Sequence, residues 1–442
     1  MTRMRPLHGM LQIAAVVAAI AVTAGAAAAS SVGAPAYAEI LDNGLKVIVQ
    51  EDHSTDLVAV DVWVRTGAVN EADETSGVSH LIEHLMFRST ESRGPGQVDM
   101  EIETLGASAE AKTSRDWTHF YTVVARRYLG KALDILSDVV LHPRFRQEDI
   151  DQERQVIIDE IARRDSDPLS SLQVEVFRAA YTVHAYRLPI EGSRESVAKM
   201  TREVIADYYN RFYVPANMSV VLVGDITAAD GVTAVRKVFG NAKKKPAPDR
   251  KIVVEPERTA QVRENIKRST RLAYLAIAFP APSVKDRPDV YAMDVLMSYL
   301  GMGYQSWLST ELQDAQRLVV QASSDFLTQR DPGLAILTAA AELAKLQKVE
   351  DAIFAKVSDL RSTRIGEADL ARAKRSLEGG YAFDMETFSG RATTLGFYET
   401  TDSFEFARSY VQNIRRVTAD DVLALAKTYL DPDRAVVVTL GP

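Results

Sequence analysis

Two stretches of the chain resemble each other and together decide the fold. Residues 201–225 read TREVIADYYNRFYVPANMSVVLVGD, and residues 418–442 read TADDVLALAKTYLDPDRAVVVTLGP. They align without gaps at an offset of 217, and three pairs of positions match: Thr201 with Thr418, Pro215 with Pro432, and Gly224 with Gly441. Each stretch predicts a capped amphipathic helix, a proline turn and an apolar strand. The shared order indicates a duplication, and we expect two related halves.

Strands precede the helices in each half. Asn43 and Gly44 form a dipeptide typical of a β-hairpin, and residues 58–64, VAVDVWV, carry valine with a period of two. In the second half, RLAYLAIAFPAP at residues 271–282 is the comparable strand. This order predicts an α+β fold with two homologous α/β-sandwich halves. Each half should contain a mostly antiparallel sheet with helices packed on one face.

The predicted domain boundaries follow the repeat. Residues 39–235 form the first half, and residues 259–442 form the second half. Between them, residues 236–258 are rich in lysine and proline, which is typical of a linker.

The N-terminus, residues 1–38, has the layout of a secretory signal peptide. Arginines precede the apolar run LQIAAVVAAIAVTAGAAAA, small residues follow it, and we expect cleavage after Ala29 or Ala38. A retained membrane anchor is the alternative, because the run is nearly long enough to span a bilayer. The small residues at its end favour removal. An exported, cysteine-free chain rich in alanine suggests a bacterial periplasm, with no membrane attachment once the signal is removed.

The composition restricts the partners and the metal ligands. Lysine and arginine number 52 against 60 acidic residues, so the net charge is -8, which argues against nucleic acid as a partner. The chain has no cysteine, which excludes disulfides and thiolate ligands. Any bound metal must therefore be held by histidine and carboxylate side chains.

A candidate metal site lies in the sequence HLIEH at residues 80–84. Apolar residues at helical spacing predict a helix here, and Ser76 could cap its start. His80 and His84 are four residues apart and share a face, and Glu83 flanks that face. Two histidines, one carboxylate and an open water position are typical of catalytic zinc, and a nearby glutamate can accept the proton of the water. The order H-x-x-E-H is the inverzincin signature, whereas the alternative interpretation is an amphipathic helix with a polar edge.

A third ligand is expected from the helix predicted in RQEDIDQERQVIIDEIARRDSDP, which begins at Arg146. Glu153 and Glu160 lie seven residues apart, which places both on one face. One carboxylate could bind the metal while the other supports the site from behind the ligands. The spacing does not decide between them, and three other residues are rival ligands: His142, Asp151 and Asp159.

These motifs together resemble a known family. GVSHLIEHLMF, followed 76 residues after His84 by Glu160, resembles the pitrilysin–insulysin zinc metallopeptidases, in particular the smaller branch similar to mitochondrial processing peptidase. The likeness covers the two-half layout of the mature chain. By this resemblance, His80, His84 and Glu160 bind Zn²⁺, Glu83 is the general base, and Glu153 supports the ligands.

The resemblance also implies how a peptide is held. The family cleaves peptides in a closed chamber formed by two double-domain units, and a substrate strand pairs with an edge strand of the catalytic half. GASAEAKTSRDWTHFY, which begins at Gly106, matches that edge-strand region. Glu110 and Ala111 stand where the family usually has Asn-Ala. Backbone pairing would survive this change, whereas an ionised carboxylate cannot donate a hydrogen bond to a substrate carbonyl.

The second half departs further from the family pattern. A glycine-rich loop is usually followed by Leu-Arg and, seven residues after the arginine, by a tyrosine, and this Arg–Tyr pair helps to stabilise the oxyanion. In the matching stretch from Gly301, Gln313 and Val320 occupy these two positions. Losing one oxyanion donor typically costs about 10²–10³ in rate.

The sequence therefore predicts a zinc-dependent endopeptidase subunit that acts on short or unfolded peptides in a closed chamber. A homologous partner subunit would supply the Arg–Tyr pair in a heterodimer. Two alternatives remain: a homodimeric peptidase with a different oxyanion donor, and a non-catalytic peptide-binding or assembly subunit.

Overall fold

A computed structural model describes residues 35–442, and all structural statements below concern these residues. The predicted signal peptide lies almost entirely outside the described residues. Within residues 35–442, none of the helices combines the length and apolarity that crossing a bilayer requires.

The chain forms two sheets surrounded by helices. The strands are β1 (Ala36–Ile40), β2 (Lys46–Glu51), β3 (Leu57–Val64), β4 (Ala109–Thr113), β5 (Thr118–Ala125), β6 (Met218–Gly224), β7 (Val262–Lys267), β8 (Ala273–Ala281), β9 (Gln321–Phe326), β10 (Gly333–Ala341) and β11 (Val436–Gly441). The α-helices are α1 (Val78–Met86), α2 (Gln97–Thr104), α3 (Leu129–Leu141), α4 (Gln147–Ser166), α5 (Pro168–Ala180), α6 (Arg194–Lys199), α7 (Arg202–Phe212), α8 (Ala228–Phe239), α9 (Arg287–Gly301), α10 (Leu346–Ser362), α11 (Glu367–Asp384), α12 (Phe388–Thr401), α13 (Glu405–Arg416) and α14 (Ala419–Tyr429).

The two sheets share one strand order. The first sheet runs β1-β2-β6-β3-β5-β4, and the second runs β7-β11-β8-β10-β9. Apart from β1, every strand has a counterpart, and each sheet contains one parallel pair: β2 with β6, and β7 with β11. The remaining pairs are antiparallel. The predicted α+β class with two homologous, mostly antiparallel halves is confirmed.

The repeated stretches occupy the same place in both halves. The side chains of Thr201 and Thr418 cap α7 and α14 by accepting backbone N–H groups in the first turn. A short 3-10 turn that starts at Pro215 or Pro432 then leads into β6 or β11. Both strands lie inside their sheets between two neighbours.

Each sheet is covered on both faces, and the second cover comes from the other half. The helices of the first half pack on one face of the first sheet, while α12 of the second half packs against β3 and β6 on the opposite face. In return, α5 of the first half packs against β8 and β11. All seven residues of β6 are buried, which requires cover on both sides. The helices of each half thus pack on one face of their own sheet, as predicted. The opposite face of each sheet is covered by a helix of the other half, α12 for the first sheet and α5 for the second.

The connection between the halves starts later than the sequence suggested. Helix α8 continues to Phe239 and β7 begins at Val262, so the extended connection comprises residues 240–261. Glu255 fixes this segment to the first half, because its carboxylate accepts the backbone N–H groups of residues 182–184 at 2.7 to 3.0 Å.

Candidate metal centre and peptide-binding edge

Helix α1 presents the H-x-x-E-H residues because its other side is apolar. Val78, Leu81, Ile82 and Leu85 are buried in the core of the first half. This pattern turns the two histidines and the glutamate toward helix α4 and strand β4, which both contact α1.

The start of α1 differs from the prediction. The N-cap is Gly77 at φ 93°, not Ser76, and the capping group is the carboxylate of Glu71. Glu71 accepts the backbone N–H groups of Gly77 and Ser79 at 2.7 and 2.9 Å, which satisfies donors that a helix start leaves free. Burial raises the pKa of Glu71 to about 7. Sequence reasoning missed this residue, because an acid six positions before the N-cap of a helix resembles an ordinary loop residue.

Two glycines allow a close contact behind α1. A Cβ atom on Gly77 would lie 2.6 Å from the carbonyl oxygen of Glu191, and one on Gly192 would lie 2.3 Å from that of Ser76. Both glycines also have a positive φ. The loop before α6 can therefore lie directly against the start of the motif helix.

His80, His84 and Glu160 converge on one point. One ligand atom from each lies within 4.8 Å of the others. The Oε2 atom of Glu160 is 3.9 Å from Nε2 of His80 and 3.7 Å from Nε2 of His84. These distances exceed hydrogen-bond length and resemble those between donors that share one ion at about 2 Å each. Within the described residues this is the one such group, so it contains none of the three rivals: His142, Asp151 and Asp159.

Glu153 lies behind His84 rather than beside the ligand atoms. Its side chain is 2% exposed, and its Oε2 atom is 2.8 Å from Nδ1 of His84. Its other oxygen forms an ion pair with Arg88. This arrangement fixes the orientation of the ring and leaves Nε2 directed at the cluster. Arg88 was not among the predicted site residues, since an arginine just after the helix has no distinctive spacing.

The two histidines have opposite pKa shifts. Burial, together with the charge of His84, lowers the pKa of His80 to about 4, so its ring is neutral at physiological pH. For His84, burial lowers the pKa, but the hydrogen bond with Glu153 and the charge of Glu160 outweigh it, and the pKa is raised.

Glu83 lies between the cluster and strand β4. Its Oε2 atom is buried and has no hydrogen-bond partner within the described residues, although Thr113 of β4 hydrogen-bonds to the side chain. Burial raises the pKa of Glu83, and the hydrogen bond from Thr113 and the charge of His84 lessen the increase. The carboxyl group therefore holds a proton more readily than an exposed glutamate does.

Strand β4 is the edge of the first sheet. Within residues 35–442 it pairs with β5 alone, so one row of its backbone groups is free for another strand. Ala109 and Ala111 pack against the core on the side of α1, whereas Glu110 and Lys112 point to the opposite face. The hydroxyl of Tyr121 donates a hydrogen bond to Glu110. Glu110 is thus directed away from the group formed by His80, His84 and Glu160, while Ala111 lies on the side of that group.

The two positions that break the family pattern lie on the surface of the second half. Gln313 is exposed within a π-helix, Leu308–Ala315, and Val320 is 56% exposed just before β9. Arg317 lies between them and adopts φ 52°, a conformation that favours glycine.

Fold and site together define a metallopeptidase-like protein with a histidine–carboxylate centre beside an open sheet edge. Residues 46–194 match the family described as Insulinase (Peptidase family M16), and residues 199–377 match the family described as Peptidase M16 inactive domain. The chain belongs to peptidase family M16.

Relatives of this family match almost the whole chain. Zinc protease PqqE of Helicobacter pylori is 27% identical over 414 residues, which cover 91% of this chain and 92% of the relative. An uncharacterized zinc protease of Mycobacterium leprae is 30% identical over 410 residues, which cover 91% of each. A probable mitochondrial-processing peptidase subunit beta of Arabidopsis thaliana is 27% identical, with 91% of this chain and 77% of the relative covered.

Solved structures share the architecture. A protease from Helicobacter pylori superposes with a TM-score of 0.89 at 26% identity, covering 92% of this chain and 99% of that one. The first half of the periplasmic protease PqqL from Escherichia coli superposes with a TM-score of 0.74 at 17% identity, covering 92% of each. At that identity the likeness concerns the fold alone.

Proposed function

We propose that this chain is the zinc-bearing subunit of an endopeptidase for short or unfolded peptides. The observation that carries the proposal is the convergence of His80, His84 and Glu160 beside Glu83 and below the free edge of β4. Relatives named as zinc proteases support this class of activity.

The residues present fit a zinc ion. Two histidine nitrogens and one carboxylate oxygen form a donor set of catalytic zinc, and three protein ligands leave room for water. When bound, the ion supplies Lewis acidity at the scissile carbonyl and at the attacking water. Glu83, whose Oε2 atom is free, would accept the proton of that water and later pass it to the leaving amine. Glu153 would keep His84 in the ligating orientation.

The edge strand β4 would bind the peptide in an extended form. Pairing uses the backbone groups of both strands, so the substrate must offer a segment whose own backbone groups are unpaired. Unfolded or short peptides meet this condition and folded domains do not. Ala111 adds little bulk on the cluster side of the strand, which allows the peptide backbone to approach.

The oxyanion contacts would come from a homologous partner. Gln313 is neutral and Val320 has no polar group, so neither replaces an arginine–tyrosine pair. A partner that carries this pair and lacks H-x-x-E-H would complete the site in a heterodimer.

A reconstitution experiment tests this proposal. The purified chain is loaded with zinc, its metal content is measured, and hydrolysis of an unfolded fluorogenic peptide is followed with and without a homologue that carries the Arg–Tyr pair. We expect one zinc per chain and hydrolysis that depends on the homologue. Full activity of the chain alone contradicts the requirement for a partner subunit and favours the homodimeric alternative. Bound zinc without hydrolysis in any pairing favours the non-catalytic alternative.

We also infer export to the periplasm with cleavage after Ala29. Cleavage after Ala38 would remove three of the five residues of β1, Ala36–Ile40, whereas cleavage after Ala29 leaves this strand complete. N-terminal sequencing of protein extracted from the periplasm should begin at Ser30. A start at Glu39, or retention in the cytoplasm, contradicts this inference.

A further inference from the structure

A cavity lies beneath the peptide-binding edge, on the side of the sheet away from the metal cluster. It has a volume of about 440 Å³ and is lined by residues of the first sheet and of helices of the second half. Its floor is formed by buried residues, among them Trp63, Trp117 and Tyr410. Its mouth is surrounded by exposed residues, among them Lys112, Gly380 and Asp384.

The mouth of the cavity is at strand β4. Lys112 belongs to this strand and, like Glu110, points to the face that carries α12. A peptide paired with β4 continues the alternation of side chains across the sheet. Every second side chain of the peptide therefore points toward the cavity, while those between point toward Glu83 and the ligands.

The interior of the cavity favours an aromatic guest. Rings line it from several elements, among them Trp117, Tyr381 and Phe397, and aromatic rings pack well edge to face or in offset stacks.

We propose that this cavity is a specificity subsite that receives a large aromatic side chain of a peptide bound along β4. The inference rests on the proposed function, because it takes the free edge of β4 as the peptide-binding strand. It adds a substrate preference that depends on residues from both halves of the chain.

Peptide binding tests the subsite without turnover. The Glu83→Gln chain is titrated with an alanine-rich peptide and with versions that carry one phenylalanine, tyrosine or arginine. Trp63 and Trp117 are two of the three tryptophans, so intrinsic fluorescence reports on the cavity. We expect the two aromatic peptides to bind about tenfold more tightly than the alanine peptide. Equal affinities, or tighter binding of the arginine peptide, overturn the proposal.

Two neighbouring glycines provide a matched pair of variants. A Cβ atom on Gly379 or Gly380 meets nothing within 4 Å, and both residues lie in α11, so either position should accept a side chain. Gly380 lines the cavity and Gly379 does not. We expect Gly380→Leu to abolish the aromatic preference and Gly379→Leu to retain it. Equal behaviour of the two variants overturns the subsite.

Cleavage mapping adds a second readout in the reconstituted assembly. Moving the aromatic residue by one position should move the cleaved bond by one position, as mass spectrometry of the products would show. A cleavage site that ignores the aromatic residue counts against the subsite. If no assembly hydrolyses peptides, the proposed peptidase fails, and the binding titration still decides whether the subsite exists.

Discussion

Burial separates the roles of the two glutamates on helix α4. The side chain of Glu153 is 2% exposed and that of Glu160 is 32% exposed, although both lie on one helical face. The deeper carboxylate contacts the rear nitrogen of His84, and the shallower one reaches the side where both Nε2 atoms point. Spacing alone allowed either assignment, because it fixes direction around the helix axis and not the depth of the surroundings.

Replacing Glu83 by glutamine should separate metal binding from turnover. The amide cannot accept the proton of the attacking water, so kcat should fall by about 10²–10⁴-fold. The proposed ligands His80, His84 and Glu160 are unchanged, and zinc content measured by atomic absorption should remain at one per chain. Substantial turnover by this variant in the reconstituted assembly would refute the role of Glu83.

Replacing Glu153 by glutamine should weaken zinc binding. The loss of the charged partner of His84 should lower zinc affinity by about 10–100-fold, as measured by competition with a chelator. Glu148→Gln is the control, since Glu148 lies on the same helix and its side chain is 78% exposed. If both variants bind zinc equally well, Glu153 does not support the site.

At the scale of elements, the contact between α12 and β3 is tight. A Cβ atom on Gly396 would lie 2.0 Å from Nε1 of the buried Trp63. Gly396→Ala should therefore destabilise the protein by about 1–3 kcal/mol, as overpacking does. Gly379→Ala, in the open part of α11, should instead stabilise it by about 0.5–1 kcal/mol. Thermal unfolding of both variants measures whether stability falls or rises as expected. Unchanged stability in Gly396→Ala would show that α12 can shift away from the sheet.

The elements differ in how far the sequence could predict them. The capped helix, proline turn and strand of residues 201–225 and 418–442 were predictable, because capping, turns and apolar runs are local signals. The packing of α5 and α12 against the sheet of the other half was not predictable. An amphipathic pattern shows that a helix has an apolar face, but it does not show which sheet that face covers. The same limit applies to Glu71, whose contact with α1 depends on how a loop folds back.

At the scale of the molecule, Asp294 links stability to pH. Burial raises its pKa to about 7, and a hydrogen bond from the hydroxyl of Tyr410 only partly offsets this. The folded state thus holds the proton more tightly than the unfolded state, where an aspartate has a pKa of about 4. Its contribution to the free energy of unfolding is complete below pH 4 and is lost as pH rises toward 7.

Asp294→Asn should remove this pH-dependent loss of stability. The gain in Tm over the natural chain should be smaller at pH 5 than at pH 8, because the natural carboxyl group loses its stabilising proton over this range while the amide stays neutral. Asp351→Asn is the control, since Asp351 is exposed on α10 and should shift the Tm equally at both pH values. An equal shift at pH 5 and pH 8 for Asp294→Asn would show that the carboxyl group is ionised in the folded protein.

The exchanged helices α5 and α12 determine what holds the molecule in one piece. Each half contributes an apolar helix to the core of the other. Val176 of α5 packs against the second sheet, and Leu395 of α12 packs against the first sheet. A protease cut within the lysine-rich residues 243–245 would sever the chain and leave both layers in place. The two fragments should then stay associated, and separate genes for them could produce a complementing pair. Neither fragment alone could cover the exposed apolar face of its sheet, so each should aggregate when it is produced without the other.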